Sequence, residues 1–392
     1  MATLLLVVIY LSFISLGVPD SLLGTAWPVL YRELGVPLAS QSAVSILCSL
    51  ATMTSSMNSA RIISHLGTGK VTAFSTLLTA AALLGFSFSG SFWFMCLMAI
   101  PLGLGAGCVD SALNNYVSIH YNATVMSFLH CFYGVGVMVS PYIMSVVINS
   151  AVGWGGYRTA SLIQALIGSI LLLALPLWKK AHGEESIQAE KKMKVLPISQ
   201  TLRIPGALMT CLLFLTFCAI EVICGGWSAT YMVEAKHMPA NLAARATMYF
   251  YLGMALGRFL SGVAAKKLTP WQIIFISMGI LGVSQTTLLV SGNNVLTMAA
   301  LLMTGLGVGP LYPNFNYMTP LHFGKDVSQS VMGMQMTFAS IGTIAAPALC
   351  GVLGQLLGMG IFPAYLMIFY VLTAVGIIAL RRTLRQVGRL QQ

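Results

Sequence analysis

Three carboxylates stand where a hydrophobic sequence should not hold them. Of the nine acids in the chain, only Asp20, Asp110 and Glu221 fall well inside apolar stretches. A charge at the centre of a bilayer costs at least about 2.5–3.5 kcal/mol, so acids at that depth face a bundle interior or a watery cavity and mark ion or substrate paths. Asp110 lies in the glycine-laced run from Gly103 to Tyr116, and Asn114 follows at i+4, which sets an amide on the same helix face. His130 and Tyr133 form a second polar pair at i,i+3, beside Gly134 and Gly136, where another helix can approach closely. Asp20 follows Gly17-Val18-Pro19; proline removes a backbone donor and glycine weakens the helix, so carbonyls are freed next to the acid. Glu221 precedes Gly225-Gly226, a pair expected to break the helix below Trp227, with Tyr231 one turn further on. No Lys or Arg falls clearly at mid-span to neutralise these acids. Carboxylates drawn out of water exchange protons readily near neutral pH, so coupling to H+ follows, with Na+ as the alternative hard cation.

The elements that position these groups are read from composition. Of 392 residues 57% are hydrophobic and only 7% charged, against roughly a quarter charged in soluble domains. Twelve apolar spans are expected, at 3–31, 39–65, 69–89, 91–119, 123–150, 157–178, 205–233, 241–265, 270–291, 294–320, 328–356 and 360–380, each near or above the length that crosses a bilayer. The first exceeds a signal-peptide core and has no basic residue ahead of Arg32, so it is expected to remain in the mature protein. The net charge of +11 does not point to nucleic acid, because fifteen of the twenty basic residues fall on one side of a twelve-span arrangement. The positive-inside rule then places both termini in the cytoplasm of a plasma-membrane protein, read here as one of a bacterial inner membrane. All eight cysteines lie within spans without metal-ligand spacing and read as small core residues; no metal or other cofactor is expected.

The chain divides in two. Residues 179–201 form a charge-mixed stretch that reads as a cytoplasmic linker between bundles at 1–178 and 202–392. GLGAG at 103 recurs as GLGVG at 305, Asn115-Tyr116 as Asn316-Tyr317, and His120 as His322. A parallel repeat of six spans marks a two-bundle transporter whose site lies near the midplane between the bundles. The second copy contributes Tyr312, Asn314 and Gln335 as polar candidates.

Several motifs resemble those of known proteins. NSARIISHLGTGKV (58–71) resembles the loop between the second and third helices of the major facilitator superfamily, with Gly67 and Lys70 in place but Ser64 and His65 where an acid and an arginine are usual. Gly257, Arg258 and Lys266 read as a weaker second copy of Ala60, Arg61 and Lys70, which makes Arg61, Lys70 and Arg258 candidate gating-loop residues. Asp20, the run ending at Asn114, FLHCFYGVG around His130, EVICGGW at 221–227 and GLGVGPLYPN ending at Asn314 are similar to the fucose–proton symporter group and its sodium-dependent glucose transporter-like relatives.

That resemblance implies twelve transmembrane helices in two pseudo-symmetric bundles and proton-coupled symport of a sugar by a monomer. It assigns Asp20 to the proton-linked acid and Asp110 to the substrate-linked one, in place of the family's fourth-helix Glu. His130 and Tyr133 stand where the fucose symporter has Gln and Asn, and the substrate is expected to be a small neutral sugar or polyol. Asn114, His130, Tyr133, Trp227, Tyr231, Asn314 and Gln335 are the candidate contacts. A drug or metabolite exporter of the same fold is the competing reading. An enzyme is not expected, because the sequence shows no nucleophile with a placed base, no metal-binding histidine pair and no phosphate loop.

Overall fold

The computed structural model describes residues 2–20, 22–23, 30, 33–36, 40–148, 155–178, 196–238 and 240–389. Every regular element among them is helical. In chain order these are α1 Ala2–Gly17, α2 Gln41–Leu66, α3 Thr68–Ser87, α4 Phe92–His120, α5 Ala123–Ile148, α6 Gly155–Leu173, α7 Ile198–Arg203, α8 Ala207–Glu234, α9 Ala240–Ala264, α10 Pro270–Val290, α11 Asn294–Val308, α12 Leu311–Phe323, α13 Ser328–Leu357 and α14 Phe362–Gln386. Seven helical stretches of the described residues are long and apolar enough to cross a membrane, and Leu4–Gly17, Ala123–Val137 and Arg158–Leu173 are shorter apolar helices. With α11 and α12 taken as one interrupted span and the short α7 set aside, the helices match the twelve expected spans one to one. Arg32 and the basic stretch 179–195 lie outside the described residues, and α7 begins inside the segment expected to be linker.

The helices gather into two compact units. The first comprises Met1–Tyr116, Leu129–Leu196 and Lys325–Thr337; the second comprises Val117–Phe128, Pro197–Gly324 and Phe338–Gln392. Each unit thus holds a short segment from the opposite repeat. In the first, Gln329 of α13 donates to Ser59 of α2 at 3.0 Å and Ser328 donates to Asn115 of α4 at 2.5 Å. In the second, Ser127 of α5 meets Ser261 of α9 at 3.2 Å.

Close helix crossings show the repeat directly. Gly103 of α4 faces the Cys48 carbonyl so closely that a Cβ would collide with it, and Gly305 of α11 faces the Phe250 carbonyl in the same way. Gly107 against Thr52 recurs as Gly309 against Met254, and Gly105 against Ser75 as Gly307 against Ser277. Every member of these pairs is displaced by 202 residues, so helix faces as well as sequence are repeated. This register corrects the second loop motif, because Arg258 corresponds to Ser56 rather than to Arg61.

Three local features bear on the site. α1 ends at Gly17, and Val18-Pro19-Asp20 turn before Leu22 and Leu23 are helical again, as the glycine and proline dictate. A Cβ on Gly17 would strike the Tyr133 carbonyl, so α1 meets α5 where its helix stops. The expected break at Gly225-Gly226 is absent: α8 runs through it, and Gly225 gives room to the Tyr251 hydroxyl. The interruption in the second half falls instead at Gly309-Pro310, where Pro310 and Pro313 withhold the amide donors that Leu306 and Gly309 carbonyls would receive.

Substituting Gly305→Val should destabilise the purified protein by about 1–3 kcal/mol through overpacking against Phe250. Gly279→Ala, which meets nothing within 4 Å, should leave the melting temperature unchanged or raise it. Thermal denaturation of the two variants in one detergent checks the crossing.

Candidate functional site

In the first unit, five of the expected residues on α4, α5 and the turn after α1 come together in hydrogen-bonded pairs. Asp20 sits at the α1 turn, and its carboxylate accepts a short hydrogen bond from the Tyr133 hydroxyl of α5. One turn earlier on α5, His130 meets Asn114 of α4, with Nε2 at 3.0 Å from Asn114 Oδ1. Asn114 donates through Nδ2 to the Asp110 carboxylate at 2.8 Å and to the Asp110 main-chain carbonyl at 3.0 Å. Helix geometry makes this last pair, because an i+4 side chain lies over the preceding turn. Asn114 and His130 are buried, whereas Asp20 is exposed and Asp110 half-buried.

Aromatic packing fixes α1 against α5. Tyr10 stacks on Phe132 with centroids 4.5 Å apart, and Phe13 sets its ring at 88° to His130 at 5.4 Å. On another face of α1, Gln164 of α6 bonds both the hydroxyl and the carbonyl of Ser15. The acids are therefore mounted on helices with several independent restraints.

The second unit handles its acid differently. Glu221 of α8 is 3.5 Å from the Arg258 guanidinium of α9, and the arginine is only 5% exposed. This corrects two expectations. Arg258 is not a gating-loop residue, since it lies inside a helix with its side chain buried. Glu221 is not left without a cation at depth; the mid-span partner went unseen because Arg258 follows Gly257 in a stretch that reads as the end of a span. The 202-residue register, which aligns it with Ser56 inside α2, is the signal that would have found it.

The other candidates are spread apart. Trp227 donates its indole N–H to the Pro347 carbonyl at 2.9 Å and packs on Gly351, so only its ring remains for a ligand. Tyr231 is 2% exposed, stacked on Phe362 at 4.8 Å, and serves as packing. Asn314 is buried and donates to Ser261 at 2.9 Å and to the Pro310 carbonyl at 2.7 Å. Gln335 is buried in the part of α13 that belongs to the first unit. Arg61 near the end of α2 and Lys70 at the start of α3 are both exposed, on either side of Gly67, the single residue joining those helices at φ 80°. In the 202-residue register of the helix crossings the mates of Asp110 and Asn114 are Tyr312 and Asn316, which corrects the pairing of Asn115 with Asn316 by one position, so the second copy has no acid at this position. Neither polar side-chain atom of the buried Asn316 has a partner among the described residues.

Removing Glu221 alone takes away the carboxylate that faces a buried guanidinium. Glu221→Ala should lower stability by about 3–5 kcal/mol, and adding Arg258→Met should recover more than half of the loss. Chemical or thermal unfolding of the single and double variants measures both.

A sequence profile described as Major Facilitator Superfamily matches residues 9–347 and, in a second match, 209–389. Among curated proteins the chain is 22% identical over 388 residues to Bypass of stop codon protein 6 of Saccharomyces cerevisiae (strain ATCC 204508 / S288c), covering 90% of this chain and 77% of that one. Among solved structures it is similar to FucP, a major facilitator transporter in the outward conformation, with a TM-score of 0.76, 15% identity and 99% of both chains covered. It is also similar to XylE, a proton:xylose symporter bound to 6-bromo-6-deoxy-D-glucose, with a TM-score of 0.75, 11% identity, and 96% and 93% of the two chains covered. A variant of the E. coli fucose:proton symporter aligns over 100% of this chain and 98% of its own, at 15% identity and a TM-score of 0.74. At these identities the structural likeness concerns the fold.

Proposed function

Since the chain belongs to the Major Facilitator Superfamily, we propose that it is a secondary active transporter that moves a small neutral sugar or polyol together with a proton by alternating access. One contrast carries the reading. Asp20 and Asp110 receive hydrogen bonds from neutral groups, the Tyr133 phenol and the Asn114 amide, whereas Glu221 faces a guanidinium. Protonating an acid held by neutral donors discharges it, but protonating one half of an ion pair leaves an uncompensated buried cation. In this reading the transported proton belongs to the first unit, and Glu221 has a structural role.

Asp20 is the proton carrier in this scheme. It stands at the broken end of α1, exposed, on a turn whose backbone can move without unwinding a continuous helix. Asp110 lies half-buried within α4 and is the substrate-linked acid. A carboxylate accepts hydrogen bonds from sugar hydroxyls, and an indole ring such as that of Trp227 suits the apolar face of a pyranose. The structural similarity to proton symporters of fucose and xylose supports the same class of substrate. The distribution of basic residues supports cytoplasmic termini in this reading. In a cysteine-depleted background, His65→Cys should then react with impermeant maleimide only from the cytoplasmic side.

A thermal-shift screen against monosaccharides, polyols, amino acids and lipophilic cations identifies the solute. Stabilisation by lipophilic cations alone would turn the assignment to an exporter. With the solute in hand, Asp20→Asn in proteoliposomes should retain exchange, which moves no net proton, and lose accumulation against a gradient. Accumulation with unchanged dependence on pH would remove Asp20 from coupling.

A further inference from the structure

The amide of Asn114 can be oriented from chemistry alone. Its nitrogen lies 2.8 Å from an Asp110 carboxylate oxygen and 3.0 Å from the Asp110 main-chain carbonyl oxygen. Both are acceptors, and an NH2 group has two hydrogens to give them. The opposite orientation would press the amide oxygen against two other oxygens. Asn114 Oδ1 must therefore face His130, where Nε2 lies at 3.0 Å, and that nitrogen must carry a hydrogen. The result is a directed chain in which His130 donates to Asn114 and Asn114 donates to Asp110.

Burial makes the chain matter. Asn114 is 0% exposed and His130 4% exposed, so neither Asn114 nor the bonded edge of the imidazole is open to a solute. Donation to an amide oxygen polarises the amide and strengthens the bonds its N–H groups make. Phe13 holds the imidazole from α1, which keeps the donor aimed. The repeat offers a comparison: Asn316 occupies the position of Asn114 but has Tyr312 in place of the acid, and its amide makes no such chain.

We infer that His130 is a positioning residue for Asp110, acting through Asn114 with a hydrogen on Nε2, and that neither His130 nor Asn114 contacts the transported solute. This rests on Asp110 being the substrate-linked acid. Solute recognition on this face of the first unit then falls to Asp110, with the amide and imidazole committed to holding it.

Two spectroscopic readouts on the full-length protein in lipid nanodiscs test the inference without a known substrate. In 15N-histidine-labelled protein at mildly alkaline pH, the signal lost in His130→Gln should show a protonated Nε2. An Nε2 without a hydrogen overturns the proposal; the variant serves only to assign the signal, which is read in the unmodified protein. In infrared difference spectra, the carboxylate band lost in Asp110→Asn should shift in His130→Leu and return in His130→Gln, whose side-chain amide can still donate to Asn114. A band that ignores residue 130 overturns the proposal as well. The solute found in the thermal-shift screen separates the two levels: an Asp110 band unmoved by saturating solute removes the substrate-linked role and the inference with it, while one that responds to solute yet not to residue 130 removes the inference alone.

Discussion

Where Gly103 crosses Cys48 and Gly305 crosses Phe250, two helix backbones meet with no side chain between them, and the arrangement of each unit follows from those crossings. Lipid gives helices no hydrophobic reason to associate, so association rests on close packing and on hydrogen bonds between them. The first unit has both. Thr52, Ser55 and Ser56 of α2 donate to the carbonyls of Gly103, Leu104 and Gly107 at 3.2, 2.5 and 3.1 Å. At the mates of those three residues the second unit has Met254, Gly257 and Arg258, so the same crossing lacks the hydroxyls. There α9 is tied instead to α8, through Arg258 and Glu221.

That difference separates the chemistry of the repeats. Hydroxyls at an i+4 or cross-helix carbonyl are neutral and small, whereas the guanidinium in the second unit brings a charge of its own and is set against Glu221. One fold, used twice in one chain, thus carries an ion pair in one copy and acids bonded by a phenol and an amide in the other.

The hydropathy pattern made the helices legible, because a span in lipid must be about twenty apolar residues long whatever its neighbours are. The repeat was legible for a similar reason: glycines at helix crossings cannot be replaced, so GLGAG and GLGVG survive in both copies. The pairing of Asp110 with Asn114 follows from helical spacing and was visible in advance. The bonds of His130 to Asn114 and of Tyr133 to Asp20 join different helices, and no periodicity within one helix encodes the rotation of its neighbour. Gly225-Gly226 misled because two glycines permit a break without requiring one; Tyr251 fills the space that Gly225 leaves and the ladder continues. Pro310 and Pro313, in contrast, remove donors outright, and there the helix is interrupted.

The segment Lys325–Thr337 belongs to the unit otherwise built from the first half of the chain. A ribosome delivers residues in order, so Ser59 and Asn115 enter the membrane long before Gln329 and Ser328 exist. The first six spans can insert and cross at their glycines early, but the last hydrogen bonds of their unit wait for nearly the whole polypeptide. Through most of synthesis the early bundle is held in lipid with one place unfilled, and insertion machinery or lipid must cover that surface until α13 arrives.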